Sequence, residues 1–266
     1  MPPAIDAPTD LPVLGMFDDP RYAKLALEHA PDWQAAEPFP HVVIDNFLDQ
    51  RVAATFEGSF PGFEDTEWVE RNNQNNIRRF QHDETKLPPL IRHALRELNA
   101  RQFLLFVETL TGLDNLLPDP YFIGGGPHLA GRGDFLNIHA DFNWHHKLQA
   151  HRRVNVLIYL NTGWQEDWGG HLELWDRGMT RRVKSILPIF NRMVAFKVAD
   201  DSNHGQPQPL RCPQGVYRKA LNLYYYTARR DEAEITDPHF TLYKTQTSPH
   251  AVELGTDYRK SAQLAG

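Results

Sequence analysis

Thirteen histidines are spread along this chain, and one of them stands in a setting suited to metal binding. In Asn137-Ile138-His139-Ala140-Asp141 an imidazole and a carboxylate lie two residues apart, at the end of the strand-like run Phe135–Ala140. Side chains two apart on a strand share a face, so His139 and Asp141 can converge on one ion. A neutral imidazole nitrogen paired with a hard carboxylate oxygen suits Fe(II). Alone, the His-x-Asp spacing arises by chance in many chains, where the histidine packs in a core and the aspartate caps a turn. A third ligand must come from another strand. Met193–Val198 (MVAFKV) reads as one, and His204 follows it after a short polar turn. Two histidines and one carboxylate form a facial triad with three coordination positions open. Arg218 stands at the mouth of the strand candidate KALNLYYYT. An arginine presented by a rigid strand is a natural partner for a carboxylate, through paired charge-assisted hydrogen bonds.

The remaining histidines read more plainly. His145, His146 and His151 crowd the segment after Asp141 and are expected in a solvated or substrate-side loop. His171, inside GGHLELW, is expected to pack against a sheet, while His239 and His250 fall in a C-terminal stretch with no strand to fix them. Tyr224, Tyr225 and Tyr226 are first a β-propensity signal, with one or two able to face a pocket by alternation.

The elements that must position these groups fall into two parts. Residues 1–20 are proline-rich and read as an arm. In the region 21–120 a helix is expected at Arg21–Ala30, stopped by Pro31, then a strand at Phe39–Phe47 and a helix at Asp49–Phe60 closed by Pro61-Gly62. Glu70–Phe80 (ERNNQNNIRRF) is polar and asparagine-rich and reads as a surface loop. Pro88–Leu110 carries apolar residues at helical spacing, enough for one long helix or two. From about 121 to 227 short β-rich runs alternate with Gly, Pro and Asn breaks: Phe135–Ala140, Val154–Leu160, His171–Trp175, Ser185–Phe190, Met193–Val198 and Lys219–Thr227. Such close spacing predicts a sandwich or barrel, and helices followed by strands predict one α+β domain over 1–266. Residues 228–266 read as a flap or tail.

Bulk composition narrows the function class. With 41% hydrophobic residues and a net charge of −6, the 266-residue chain can bury a core and lacks the basic footprint of a nucleic-acid binder. The single cysteine, Cys212, excludes a cysteine-rich zinc site and suits a reducing compartment such as the cytoplasm. The first residues do not read as a secretory signal, and no stretch is apolar enough to span a bilayer. Oligomeric state has no signature, because no heptad pattern occurs.

Taken in order, HADF, VLIYLN, WGGHLELW, the strand before His204 and RKALNLYYYT resemble the prolyl-hydroxylase-like branch of the Fe(II)/2-oxoglutarate oxygenases. The resemblance runs from His128 to Thr227. It implies a double-stranded β-helix core of the jelly-roll or cupin type, supported by N-terminal helices. It implies Fe(II) held by His139, Asp141 and His204, and 2-oxoglutarate held at its distal carboxylate by Arg218, with Tyr159 adding a hydrogen bond there. O2 is the co-substrate and ascorbate an admissible reductant. The reaction implied is hydroxylation of an unactivated C–H bond, with release of succinate and CO2, on an amino-acid-like small molecule or a peptidyl (prolyl) substrate. Asp141 fills the place that related halogenases leave to a small residue, which favours hydroxylation. Gly169-Gly170 matches a structural glycine pair. The gap between His204 and Arg218 is longer than in relatives and contains Arg211, a rival anchor, and Leu129 stands where some relatives carry a tyrosine. Candidate substrate-side segments are Asn72–Arg79 and Phe142–Arg153, with Arg78, Arg79, Lys147, Arg152 and Arg153. Two other functions share some of these residues: a zinc-dependent hydrolase using the same triad, and a non-catalytic β-sandwich binding module.

Overall fold

The computed structural model describes residues 15–245 and 248–252. Four helices and two short strands precede the β-rich part: α1 (Pro20–Ala35), β1 (His41–Ile44), α2 (Gln50–Gly58), the hairpin β2 (Val69–Asn73) and β3 (Asn76–Phe80), α3 (Pro89–Glu97) and α4 (Arg101–Thr111). Asp49 caps α2 by accepting from Arg51 N, as a residue of that type should. The long apolar stretch from Pro88 divides into two helices. α1 outruns its expected stop, because Pro31 sits inside it. The turn beyond Pro31 is fastened from outside: Trp33 is buried, and Gln34 donates to the Thr111 carbonyl of α4 at 3.0 Å.

Ten strands follow: β4 (Gly126–Ala130), β5 (Phe135–Ala140), β6 (Trp144–His145), β7 (Ala150–Tyr159), β8 (Leu172–Trp175), β9 (Arg182–Ile186), β10 (Arg192–Lys197), β11 (His204–Gln206), β12 (Arg218–Thr227), β13 (Leu242–Thr245) and, as the last pairing partner of β13, β14 (Ser248–Val252). All pairings are antiparallel, in the order β1-β10-β7-β12-β4-β3-β5-β11-β8-β9. The sheet curls on itself. Leu157 and Tyr159 of β7 and Phe196 of β10 share one apolar cluster with Leu172 and Leu174 of β8, which lies far along the strand order.

Alternation then divides each central strand between two duties. Val154, Val156 and Ile158 of β7, with Leu221, Leu223 and Tyr225 of β12, join the core beneath α1–α4. The intervening Asn155, Leu157, Asn222 and Tyr224 line a cavity inside the curl. The architecture is α+β, a double-stranded β-helix buttressed by helices.

Three expectations need correction here. Glu70–Phe80 is a hairpin and not a loop. Asn73 Oδ1 accepts from the amides of Asn75 and Asn76 at 2.9 and 3.2 Å, closing the turn, and β3 is then gripped between β4 and β5. Its polar composition concealed a strand whose order comes from those partners. The run expected at Ser185–Phe190 lies earlier, at Arg182–Ile186, since Pro188 has no N–H to give a ladder. The arm is docked where it is described: Met16 and Phe17 are buried, and the Phe17 ring lies 4.6 Å from that of Phe103. Residues 1–14 of that arm and 253–266 of the tail lie outside the described residues. No helix among the described residues is long and apolar enough to cross a membrane.

Candidate metal centre

Strand pairing brings the three candidate ligands together. His204 opens β11 and sits directly across from His139 of β5, with ring centroids 4.4 Å apart. The two strands meet at a register irregularity between His204 and Gln206, where Gly205 passes so close that a Cβ would come within 2.8 Å of the Leu136 and Asn137 carbonyl oxygens. Glycine is what this crossing admits. One ligand atom from each of His139, Asp141 and His204 lies within 4.8 Å of the others.

The imidazoles are oriented by their outer nitrogens. His139 Nδ1 is 2.8 Å from the Asn137 carbonyl oxygen, and His204 Nδ1 is 2.8 Å from that of Ser202. A carbonyl can only accept, so each Nδ1 carries the proton and each Nε2 presents a lone pair. Those Nε2 atoms face Asp141, at 3.6 Å from Oδ1 for His139 and 3.4 Å from Oδ2 for His204. Adjacent donors around a six-coordinate ion with bonds of ~2.1 Å are separated by about 3 Å, close to this spacing. Burial, followed by the neighbouring His204, presses the His139 imidazole down to about 4, so it is neutral near pH 7 and free to donate. The donor set therefore fits a divalent ion of the Fe(II) type.

Asp141 is held by two residues whose role the sequence did not disclose. Asn155 Nδ2 donates to Asp141 Oδ2 at 2.6 Å, and Arg152 Nη2 lies 3.2 Å from the same oxygen. Arg152 is expected in a substrate-side loop, yet it is 1% exposed. It donates twice to Asn155 Oδ1, at 2.9 and 2.6 Å, between the rings of Phe142 and Tyr224. Burial pushes the Asp141 carboxyl up, but Arg152 and the imidazoles outweigh it and hold it well below the usual carboxylate range. The only hint in the sequence was period 2 along β7, which puts Asn155 on the face of Tyr159.

Arg218 opens β12 and lines the same cavity of about 70 Å³ as the three ligands. Its Nε donates to the Gly170 carbonyl at 2.9 Å and its Nη2 to the Tyr159 hydroxyl at 3.1 Å. A guanidinium has five N–H groups, so the remaining ones are available to a carboxylate. Gly170 has φ +78° and leaves no room for a Cβ, which would fall 2.7 Å from Leu210 and 3.2 Å from Arg218 Cδ. Tyr159 is fully buried against Arg218 and reaches the cavity through it. Arg211 is exposed and donates to the Asp167 carbonyl at 3.1 Å.

Other expected placements fail. His145 is not solvated: it is 1% exposed, with Nε2 3.3 Å from Asp119 Oδ1. His239 is fixed, its Nε2 2.8 Å from Asp200 Oδ1, while the side chain of His250 lies outside the described residues. His128 was passed over, yet it lines the cavity, stacked on Phe80, with Nε2 3.0 Å from the Gly124 carbonyl. Burial drives its imidazole well below the ordinary value. The last described strands also reach the site, since β13 pairs with β5 and sets the Tyr243 ring 5.7 Å from His139.

Residues 126–226 match the family model described as "2OG-Fe(II) oxygenase superfamily". Among curated proteins the chain is 29% identical over 197 residues to prolyl 3-hydroxylase OGFOD1 of Mus musculus, covering 71% of this chain and 33% of that protein. It thus spans about a third of that relative's length. Among solved structures it is similar to a prolyl hydroxylase of Trichoplax adhaerens in complex with a peptide fragment of hypoxia inducible factor, with TM-score 0.53, 21% identity, and coverage of 85% of this chain and 96% of that one. It is also similar to a Pseudomonas putida prolyl-4-hydroxylase (TM-score 0.51, 16% identity, 77% and 100% covered). A third similar structure is HygX of Streptomyces hygroscopicus with nickel, 2-oxoglutarate and hygromycin B bound (TM-score 0.52, 10% identity, 83% and 98% covered).

Proposed function

We propose, for a chain whose residues 126–226 belong to the prolyl-hydroxylase-like branch of the 2OG-Fe(II) oxygenase superfamily, that it hydroxylates an unactivated C–H bond of a prolyl or amino-acid-like substrate while converting 2-oxoglutarate to succinate and CO2. His139, Asp141 and His204 hold the iron, Arg218 anchors the distal carboxylate of 2-oxoglutarate, and Tyr159 supports that arginine. The observation that carries the reading is one cavity lined by both a His/Asp/His donor set and a guanidinium with unused N–H groups.

Bound iron with 2-oxoglutarate and O2 supplies the oxidising power for the C–H bond. The chain supplies the rest. Backbone carbonyls of Asn137 and Ser202 keep both Nε2 lone pairs pointed inward. Arg152 and Asn155 occupy Asp141 Oδ2 and keep the carboxylate charged. Arg218 sets the direction in which the co-substrate lies. The apolar side chains of Leu136, Leu157, Leu172 and Phe196 line the same cavity and limit its water.

A zinc hydrolase would use the same triad but gives Arg218 and its Tyr159 partner no task, and a binding module would need neither. Anaerobic calorimetry with Mn(II) and 2-oxoglutarate separates these. Wild type is expected to bind 2-oxoglutarate only with the metal, and Arg218→Ala to weaken that binding about tenfold to a hundredfold while leaving Mn(II) affinity unchanged. Equal 2-oxoglutarate affinity in the two proteins would remove Arg218 from its role.

The same reading takes the chain as a single domain, with the helices sharing the core of the β-helix. It places the protein in the cytoplasm, on the strength of one buried free thiol. Its partner is a small-molecule or peptidyl substrate and not nucleic acid.

A further inference from the structure

Arg78 is an unpaired cation inside the site. On β3 it shares a face with Phe80, which pairs with and stacks on His128, and it lines the cavity that contains His139, Asp141 and His204. Among the described residues it makes no hydrogen bond and no ion pair, and its Nε is buried without an acceptor. Its guanidinium carbon lies 5.8 Å from the Phe80 ring centre, and its charge is felt by His128, Tyr224 and Tyr243. Tyr243 flanks His139 and Tyr224 flanks Arg152. The guanidinium is therefore on the side of the cavity where the metal ligands are.

A buried donor with no acceptor is costly, so a site that keeps one is built for an incoming group. The charge of that group follows from the neighbours. Arg152 is matched by Asp141. Iron and 2-oxoglutarate would bring equal and opposite charges, and burial keeps His128 neutral. That leaves the positive charges of Arg78 and Arg218 without a counter-ion from the protein. A neutral amide carbonyl would satisfy hydrogen bonding at Arg78 and leave the charge; a carboxylate satisfies both.

We propose that Arg78 is a specificity-determining residue and that the substrate carries a carboxylate which pairs with it, so that the acid group lies beside the C–H bond to be oxidised. The inference rests on the oxygenase reading of the site and adds the class of substrate. The carboxylate can belong to a small amino-acid-like molecule or to the C-terminus of a peptide, and both present the same group.

The test is anaerobic titration of Mn(II)- and 2-oxoglutarate-loaded protein with matched pairs of acid and primary amide: L-proline, N-acetyl-L-proline and a peptide ending in proline, each against its amide. For at least one pair the wild type is expected to bind the acid about tenfold or more tightly than the amide. In Arg78→Gln that ratio should fall to about one, and Arg78→Lys should restore it in part, since the charge returns without the fork. If small acids show the preference and the peptide does not, the carboxylate belongs to a small molecule; the reverse result assigns it to a peptide end. Equal binding of acids and amides, a preference that survives Arg78→Gln, or no acid binding at millimolar concentration would overturn the proposal. So would loss of 2-oxoglutarate affinity in Arg78→Gln, which would make Arg78 a co-substrate anchor. Failure of the wild type to bind 2-oxoglutarate is a different result, and it would sink the reading of the site itself.

Discussion

Replacing Arg152 with methionine keeps the length of the side chain and removes its charge. The loss is then confined to three contacts: 3.2 Å to Asp141 Oδ2, and 2.9 and 2.6 Å to Asn155 Oδ1. At 1% exposure no water can replace the guanidinium, and the Asp141 carboxylate is left buried beside two imidazoles. Breaking a buried pair from one side costs about 3–5 kcal/mol. A divalent ion at the triad returns a positive charge to Asp141, so the cost should shrink once metal is bound. Urea denaturation of Arg152→Met should therefore show a large destabilisation without metal and a smaller one with Mn(II). A cycle with Asp141→Asn should give a coupling of about 1–3 kcal/mol, as expected of residues in one network. Equal losses with and without Mn(II), or costs that simply add, would mean that Arg152 does no more than fill the space between Phe142 and Tyr224.

Other outcomes follow from the same geometry. Asp141→Gly should abolish substrate hydroxylation, measured as succinate released with substrate present, and undiminished turnover would count against the whole assignment. Stability of the metal-free protein should fall on acidification. The unfolded chain protonates its histidines near pH 6.5, while folded His139 resists until about pH 4, so between those values the unfolded state holds more protons and gains ground. That term is worth at most about 3 kcal/mol, His128 acts in the same direction, and Asp141 adds a further loss below the ordinary carboxylate range. Denaturation midpoints that stay flat from pH 7 to 4.5 would contradict this.

The chemistry of this protein was legible along the chain wherever it depended on local order. His139 and Asp141 are two apart on a strand, and alternation alone turns them to one side. His204 was found by looking for a strand to carry a third ligand, and Arg218 by its place at the head of β-rich sequence. What came out of folding has a different character. Arg152 looked like a loop cation and became the buried counter-ion of Asp141, because β7 begins earlier than its apolar run and carries it inside. Glu70–Phe80 looked like a polar loop and became an inner strand, because β4 and β5 supply its hydrogen bonds from about fifty residues away. Local side-chain chemistry sets which groups can bind a metal or a carboxylate. Which of those groups are desolvated, paired or left open is decided by partners distant in sequence, through pairings that no short stretch of residues encodes.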